Sequence, residues 1–234
     1  MQDLLTIIIP CKNEERYIFN TLYKLNEQKD IKGVKVVIAD GGSSDKTLFQ
    51  IAKFKLFNNN IKIKVINGGS VSYGRNVGTS FCTTPYVLFL DADTKLISKD
   101  AIVTSLTELR KGKTIVTCKV KSTSPSSMSK LVFWMFNQIQ WLMPETFCTG
   151  QFFMISKKDF IELGKFDETS QHSEDYLLSR KVPKSKFKIV DKWIGQDDRR
   201  FKKMGYINFI LLIIKNYINR NKKGYFTKDV GYWI

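Results

Sequence analysis

An α/β domain with a mainly parallel central sheet is the fold the sequence predicts, and three observations predict it. Short, continuously apolar runs alternate with helix-periodic segments through the first ninety residues. The runs have the length of strands buried on both faces. Each ends in a polar or glycine-rich loop, as strand–helix–strand units do.

The elements follow in order. Leu4 to Ile9 is an apolar run closed by Pro10 and reads as a buried strand. Glu14 to Gln28 has helical spacing, with Ile18, Leu22 and Leu25 on one face. Val34 to Ala39 is a second strand, ending in Asp40-Gly41-Gly42, and Ser43 or Ser44 then caps a helix from about Asp45 to Phe57. Ile61 to Ile66 alternates with lysines and reads as a third strand. Gly68-Gly69 leads to a helix around Tyr73 to Phe81, and Val87 to Leu90 is the fourth strand. Ligands of such sheets bind beyond the carboxyl ends of the strands. Pro10 to Glu14, Asp40 to Asp45, Gly68 to Asn76 and Asp91 to Asp93 all fall there.

The second half is less regular. Helices are expected over Lys99 to Arg110, Met128 to Met143, Lys157 to Leu163 and Ser173 to Val182. Strands are expected over Thr114 to Cys118 and Gln151 to Ile155, and Ser122 to Ser129 reads as a polar loop. From Arg199 to Lys228 the chain is strongly basic around one apolar block. The organisation is therefore one domain over residues 1–200, its regular half running to about 95 and its less regular half from about 96, and a basic amphipathic segment over 201–234. No internal repeat is present.

A 43% hydrophobic and 26% charged composition suits a globular domain, but the net charge of +16 asks for an anionic partner. Nucleic acid, a membrane surface or a phosphate-bearing substrate would each answer. Cys11, Cys82, Cys118 and Cys148 lack metal-ligand spacing and read as reduced, buried small hydrophobes. The amino terminus enters a strand almost at once, with no signal peptide in between, so a cytoplasmic location is expected.

The sharpest feature is Asp91-Ala92-Asp93. Period-two geometry would point the two carboxylates the same way. That pair suits Mg²⁺ or Mn²⁺ carrying a diphosphate, or else it merely solvates a strand exit. Asp40 could accept an N–H from the edge of uracil or guanine, or close a turn. Arg75 could bind phosphate, orient a carboxylate or lie on the surface. Glu174-Asp175 precedes an apolar helical stretch: one could act as a general base, or both could serve the helix dipole. Asn13 and Glu14 could simply cap a helix. His172, the single histidine, reads as an exposed loop residue, with a third metal ligand as the alternative. The loop Pro10-Cys11-Lys12-Asn13-Glu14 lacks the Gly-x-Gly-x-x-Gly of a dinucleotide site and the Gly-Lys-Ser/Thr of a P-loop.

Taken together these motifs resemble family 2 glycosyltransferases of the GT-A fold. The resemblance runs through Ile7-Ile8-Ile9-Pro10 with Asn13-Glu14, the Asp40-Gly41-Gly42-Ser43-Ser44-Asp45-Lys46-Thr47 stretch, Arg75-Asn76-x-Gly78 and Leu90-Asp91-Ala92-Asp93. It ends with Gly164-x-Phe166-Asp167-Glu168 leading to Glu174-Asp175. It implies an inverting transfer from a UDP- or GDP-linked sugar to a hydroxyl of a glycan or lipid-linked acceptor, aided by Mg²⁺ or Mn²⁺. Pro10, Cys11, Asn13, Glu14 and Asp40 would hold the nucleoside. Arg75 and Asn76 would support that pocket, and Asp91 and Ala92 would adjoin the nucleotide. Asp91 and Asp93 would meet the metal, Asp93 more directly. Asp175 would be the catalytic base, with Glu174 beside it in the acceptor loop. Gly150 and Gln151 would line the sugar site.

Two departures stand out. Gly74 occupies a position where alanine is usual, with no evident consequence. Gln196-x-x-Arg199-Arg200 resembles the Gln-x-x-Arg-Trp element of processive synthases, but Arg200 replaces the aromatic and no membrane spans accompany it. Single-sugar transfer is the better match. Arg199 and Arg200 would contact phosphate, or form a solvated turn.

Tyr206 to Ile218 is too short for the ~20 residues that cross a bilayer. Its apolar face, Ile207, Ile210, Leu211, Ile214 and Ile218, lies between lysine clusters and suits an anionic membrane interface. A peripheral position at the cytoplasmic membrane face follows, with packing on the core as the alternative. The Met128 to Met143 helix fits a membrane-facing surface and a core position equally. Two rival functions remain. A nucleotidyltransferase would need a glycine-rich triphosphate loop, which Pro10 to Glu14 does not supply. A non-enzymatic nucleic-acid- or membrane-binding protein gives no reason for carboxylates at strand ends, so no nucleic-acid partner is expected.

Overall fold

The computed structural model describes residues 1–58 and 60–230; the last four residues of the expected basic segment lie outside them. The first half is the predicted alternation. Strand β1 (Leu5–Cys11) is followed by helix α1 (Ile18–Asn26), β2 (Lys35–Asp40), α2 (Thr47–Phe57), β3 (Lys62–Asn67), α3 (Val71–Ser80) and β4 (Tyr86–Leu90). Helix α1 starts four residues later than its spacing suggests. Its expected first turn is committed to the neighbouring loop: Glu14 N–H donates to Thr47 Oγ1 at 2.7 Å, and Glu15 accepts from Lys46 N–H at 2.9 Å.

The second half contributes β5 (Lys95–Leu96), α4 (Ala101–Arg110), β6 (Ile115–Ser122), α5 (Ser127–Leu142), β7 (Phe152–Ser156), α6 (Lys157–Glu162) and α7 (Glu174–Ser179). A single 3-10 turn (Lys184–Lys186) leads into β8 (Phe187–Gln196), α8 (Arg199–Met204) and α9 (Tyr206–Ile218). The eight strands form one sheet in the order β3-β2-β1-β4-β7-β6-β8-β5. β3, β2, β1 and β4 run parallel, as do β6 and β8. β7 runs antiparallel to both its neighbours and β5 antiparallel to β8. The sheet is therefore mainly parallel, as expected. β3 sits at an edge with Lys62 and Lys64 along it, which explains its lysine alternation and guards the edge against further pairing.

Both faces of the sheet are covered. On one, Ile7, Ile9, Leu88 and Met154 pack against α1, α4 and α5. On the other, Phe89 and Phe153 meet Phe160 of α6 and Phe166, with Phe89 4.9 Å from each of the latter two ring centres. Asn137 fastens α5 to β6, accepting from Val120 N–H at 2.9 Å and donating to its carbonyl at 2.7 Å. The basic segment is no loose tail. Phe209 of α9 stacks on Phe201 at 4.3 Å, Phe201 stacks on Phe133 at 5.0 Å, and all three join the main core. Among the described residues no helix is long and apolar enough to cross a membrane.

Candidate active site

The loops after β1 and β2 are laced into one wall. Asp40 accepts from Gly42 N–H (3.2 Å), Ser43 N–H (3.1 Å) and the Ser43 hydroxyl (2.6 Å). Ser43 Oγ in turn accepts from Asn13 N–H at 2.9 Å, and Asn13 Oδ1 accepts from Ser44 N–H at 2.9 Å. Asn13 takes a left-handed φ of 55° to do this, a conformation asparagine tolerates better than most residues. Asp40 thus closes its turn. The Cys11 thiol lies 3.7 Å from Asp40 Oδ1. Burial, then that carboxylate, pushes its pKa well up, so it is inert. Pro10 is buried in β1 opposite Ala39.

The strand before Asp91 ends at Leu90, and Asp91-Ala92-Asp93 forms a turn, closed by Thr94 N–H on the Asp91 carbonyl at 3.1 Å. The period-two expectation therefore fails, because no strand continues through the tripeptide. Both carboxylates still border one cleft, but they turn to different arginines. Ala92 faces the core, and its carbonyl accepts from Thr21 Oγ1 at 2.7 Å.

Arg75 is no surface residue. It is 1% exposed and bridges Asp91 (2.7 Å) to Glu174 in a tight ion pair. Its guanidinium lies 5.1 Å from the centre of the Phe166 ring. Gly150 makes this possible, since a Cβ there would fall 2.0 Å from Arg75 Nη2. The Gly74 departure has a consequence after all. A Cβ there would sit 2.9 Å from the Gly68 carbonyl and 3.2 Å from Ala39 Cβ, so glycine lets α3 close on β2.

Glu174 lines the cleft while buried in its pair with Arg75, and it stands in the first turn of α7 rather than in a loop. Asp175 is only partly buried and borders the open space. Its oxygens accept from Gly150 N–H and Tyr176 N–H, each at 2.7 Å. Burial, then the Glu174 charge, pushes its carboxyl up to about 7 against the pull of Arg75. The preceding Ser173 has a left-handed φ of 59°, a strained state for a non-glycine residue. Asn216 of α9 holds it, donating to Ser173 Oγ at 2.9 Å.

Arg199, at the start of α8, overturns the solvated-turn alternative. It pairs with Glu14 and, at 2.9 Å, with Asp93, and its guanidinium covers the Tyr17 ring at 4.6 Å. Burial pushes Glu14 up to about 7 despite this partner. Arg200 also borders the cleft, and its charge opposes the rise that burial imposes on the Asp91 pKa. Gln151 lies alongside. The cleft, about 1060 Å³ with its open mouth, is walled on the other side by α5 and α9.

Two further residues fall elsewhere. Asn76 is outside this cleft and holds the 166–168 segment, bonding both backbone groups of Phe166 (2.9 and 3.2 Å) and the Glu168 carboxylate (2.8 Å). His172 is not an exposed loop residue. It is fully buried against Tyr225 and Phe226, and burial lowers its pKa. The sequence reading missed the Arg75–Glu174 and Arg199–Glu14 pairs and the Tyr17 ring.

The residues fit a divalent ion. Asp91 and Asp93 are hard oxygen donors on one cleft, and two buried oxygens beside them, Glu14 Oε2 and Gln151 Oε1, have no hydrogen-bond partner among the described residues. Among the described residues no set of three His, Cys, Asp or Glu side chains could hold a metal alone. An ion here would take its remaining ligands from phosphate and water, as Mg²⁺ commonly does.

Comparison with known proteins gives the family and the fold. The family described as "Glycosyl transferase family 2" matches residues 6–164. The uncharacterized glycosyltransferase YfnE of Bacillus subtilis is 27% identical over 113 residues, 48% of this chain and 29% of that protein. The chain thus spans under a third of that relative's length. The mannosyltransferase PcManGT of Pyrobaculum calidifontis, solved with GDP-Man and Mn²⁺, superposes with a TM-score of 0.65 at 17% identity, over 90% of this chain and 64% of that one. TarS 1–349 of S. aureus, solved with UDP-GlcNAc, gives 0.62 at 20% identity, over 84% and 59%. These structural likenesses carry the GT-A fold.

Proposed function

The chain belongs to glycosyl transferase family 2, and from that membership and the cleft geometry we propose that it moves a sugar from a UDP- or GDP-linked donor to a hydroxyl of a glycan or lipid-linked acceptor. The observation that carries this reading is one cleft lined together by Asp175, Asp91, Asp93, Arg199 and Arg200. The nucleotide sugars bound by TarS and PcManGT support the donor class.

Pro10, Cys11, Asn13, Glu14 and Asp40 form the nucleoside wall. Asp91 and Asp93 would hold Mg²⁺ or Mn²⁺, which when bound neutralises charge on the diphosphate. Arg199 and Arg200 bring two further cations to that end. Arg75 pairs with Asp91 and Glu174 and Arg199 with Asp93, which leaves Asp175, among the described residues, as the cleft carboxylate without a cation of its own and suited to take a proton. The acceptor oxygen attacks the anomeric carbon, the bond to the diphosphate breaks with its electron pair, and the acceptor proton passes to Asp175. One displacement inverts the configuration, and Gly150 and Gln151 line the sugar side. The Gly150 and Tyr176 N–H groups hold Asp175 in a fixed orientation. A cytoplasmic position, peripheral to the membrane, completes the reading.

The test is a thermal-shift screen of UDP- and GDP-sugars with Mn²⁺, followed by donor hydrolysis without acceptor. One donor should raise the melting temperature and be hydrolysed slowly. Neither effect with any donor would refute the assignment.

A further inference from the structure

The cleft has two ends of opposite character. One holds the carboxylates and arginines just described. The other is built from Phe136 of α5 and Met143 just beyond its end, Phe209, Leu212 and Ile213 of α9, and Phe147. Sugar hydroxyls pressed against such a wall would lose water without gaining partners. A hydrocarbon chain would lose nothing.

The same two helices are apolar on their outer faces. α5 exposes Trp134, Trp141 (71%) and Leu142, while α9 exposes Ile207 (74%), Ile214 and Ile218. The helices adjoin through Phe133, Phe201 and Phe209, and Ile213 packs on the cluster around Phe136. Lys202, Lys203, Lys215, Lys222 and Lys223 are exposed along and around α9. A thirteen-residue helix with apolar faces inside and out, ringed by lysines, matches an anionic bilayer surface better than water.

We propose that the acceptor is a membrane-resident amphiphile. Its chain lies in the α5–α9 end of the cleft with its hydroxyl toward Asp175, and the outer faces of α5 and α9 rest in the anionic leaflet from which it enters. The proposal rests on the transferase reading for the polar end of the cleft.

The test uses the full chain, because Phe209 and Phe226 are core residues and truncation would remove them. Vesicles of phosphatidylglycerol and phosphatidylcholine carry a long-chain fatty alcohol bearing a photoactivatable diazirine. Protein should sediment with these vesicles and much less with phosphatidylcholine alone. Labelling should reach Met143, Leu212 or Ile213. The double variant Ile207→Glu/Ile214→Glu, both exposed positions, should keep its melting temperature and nucleotide-sugar binding but adsorb roughly tenfold less or weaker still, since two side chains that would enter lipid now carry charge. Undiminished adsorption of that variant would overturn the docking face. Labelling confined to the outer faces, or none at all, would overturn the chain in the cleft. Adsorption and cleft labelling by a protein that binds no nucleotide sugar would instead overturn the transferase reading.

Discussion

Gly150→Ala should be among the most damaging one-carbon changes in this protein. The new Cβ would stand 2.0 Å from Arg75 Nη2 and 2.7 Å from Cζ. Arg75 cannot yield, because it is buried and tied to Asp91 and Glu174. Moving it breaks a buried ion pair, which costs about 3–5 kcal/mol. The φ of Gly150 is not positive, so alanine also gains about 0.4–1 kcal/mol by stiffening the unfolded chain. The net loss should be about 2–4 kcal/mol. Urea unfolding measures it, and a double-mutant cycle with Arg75→Met identifies its cause. In that background the flexible thioether can give way, so Gly150→Ala should cost little. A loss below about 1 kcal/mol, or an equal loss in both backgrounds, would refute the account of Gly150 as the space for Arg75.

Other outcomes follow from the same cleft. Asp175→Asn should lower transfer by roughly 10²–10⁴-fold with donor affinity nearly kept, and near-normal turnover would move the base elsewhere. Burial, then the Glu174 charge, pushes this carboxyl up to about 7, so wild-type kcat/KM should rise with pH through that value; a flat profile would count against it. Because the unfolded carboxyl ionises near 3.9, the folded protein holds the proton longer and loses stability as pH climbs between the two values. Asparagine abolishes that loss, so from pH 5 to pH 8 the stability difference should shift toward the variant by up to about 2–3 kcal/mol, less where cleft water screens the charge. Asp93→Ala should stay folded, since Arg199 keeps Glu14, yet lose the metal dependence of UDP or GDP binding; titrations with and without EDTA decide this. Asn76→Ala should cost about 1–3 kcal/mol by unpairing both backbone groups of Phe166 and speed hydrogen exchange over residues 166–168.

What could be read from the sequence was what depends on neighbours along the chain. Continuous apolar runs gave β1, β2 and β4, and a 3.6-residue spacing gave α1 and α9. β8 escaped because its ladder with β6 skips from Val190 to Trp193, a bulge that spoils the alternation. The motifs located the cleft, since strand ends are where parallel sheets expose loops. Residue roles depended on partners far away in sequence. Arg75 is ninety-nine residues from Glu174, and nothing local to Arg75 announces its burial. His172 looked exposed because its covering rings, Tyr225 and Phe226, lie more than fifty residues downstream.

The pair between Arg199 and Glu14 joins positions 185 apart. Asp91 and Asp93 come from the middle of the chain, and the wall facing them, α9, is the last helix described. Closing contacts over such separations is slow and comes late in folding. On a ribosome the sheet strands β1 to β4 can pair long before residue 217 has emerged, while the cleft still lacks a wall. The protein should therefore acquire a core well before it acquires a site. During that interval the aromatic inner faces destined for the cleft stand open to solvent, so newly made chains are at their stickiest while α9 is still to be made.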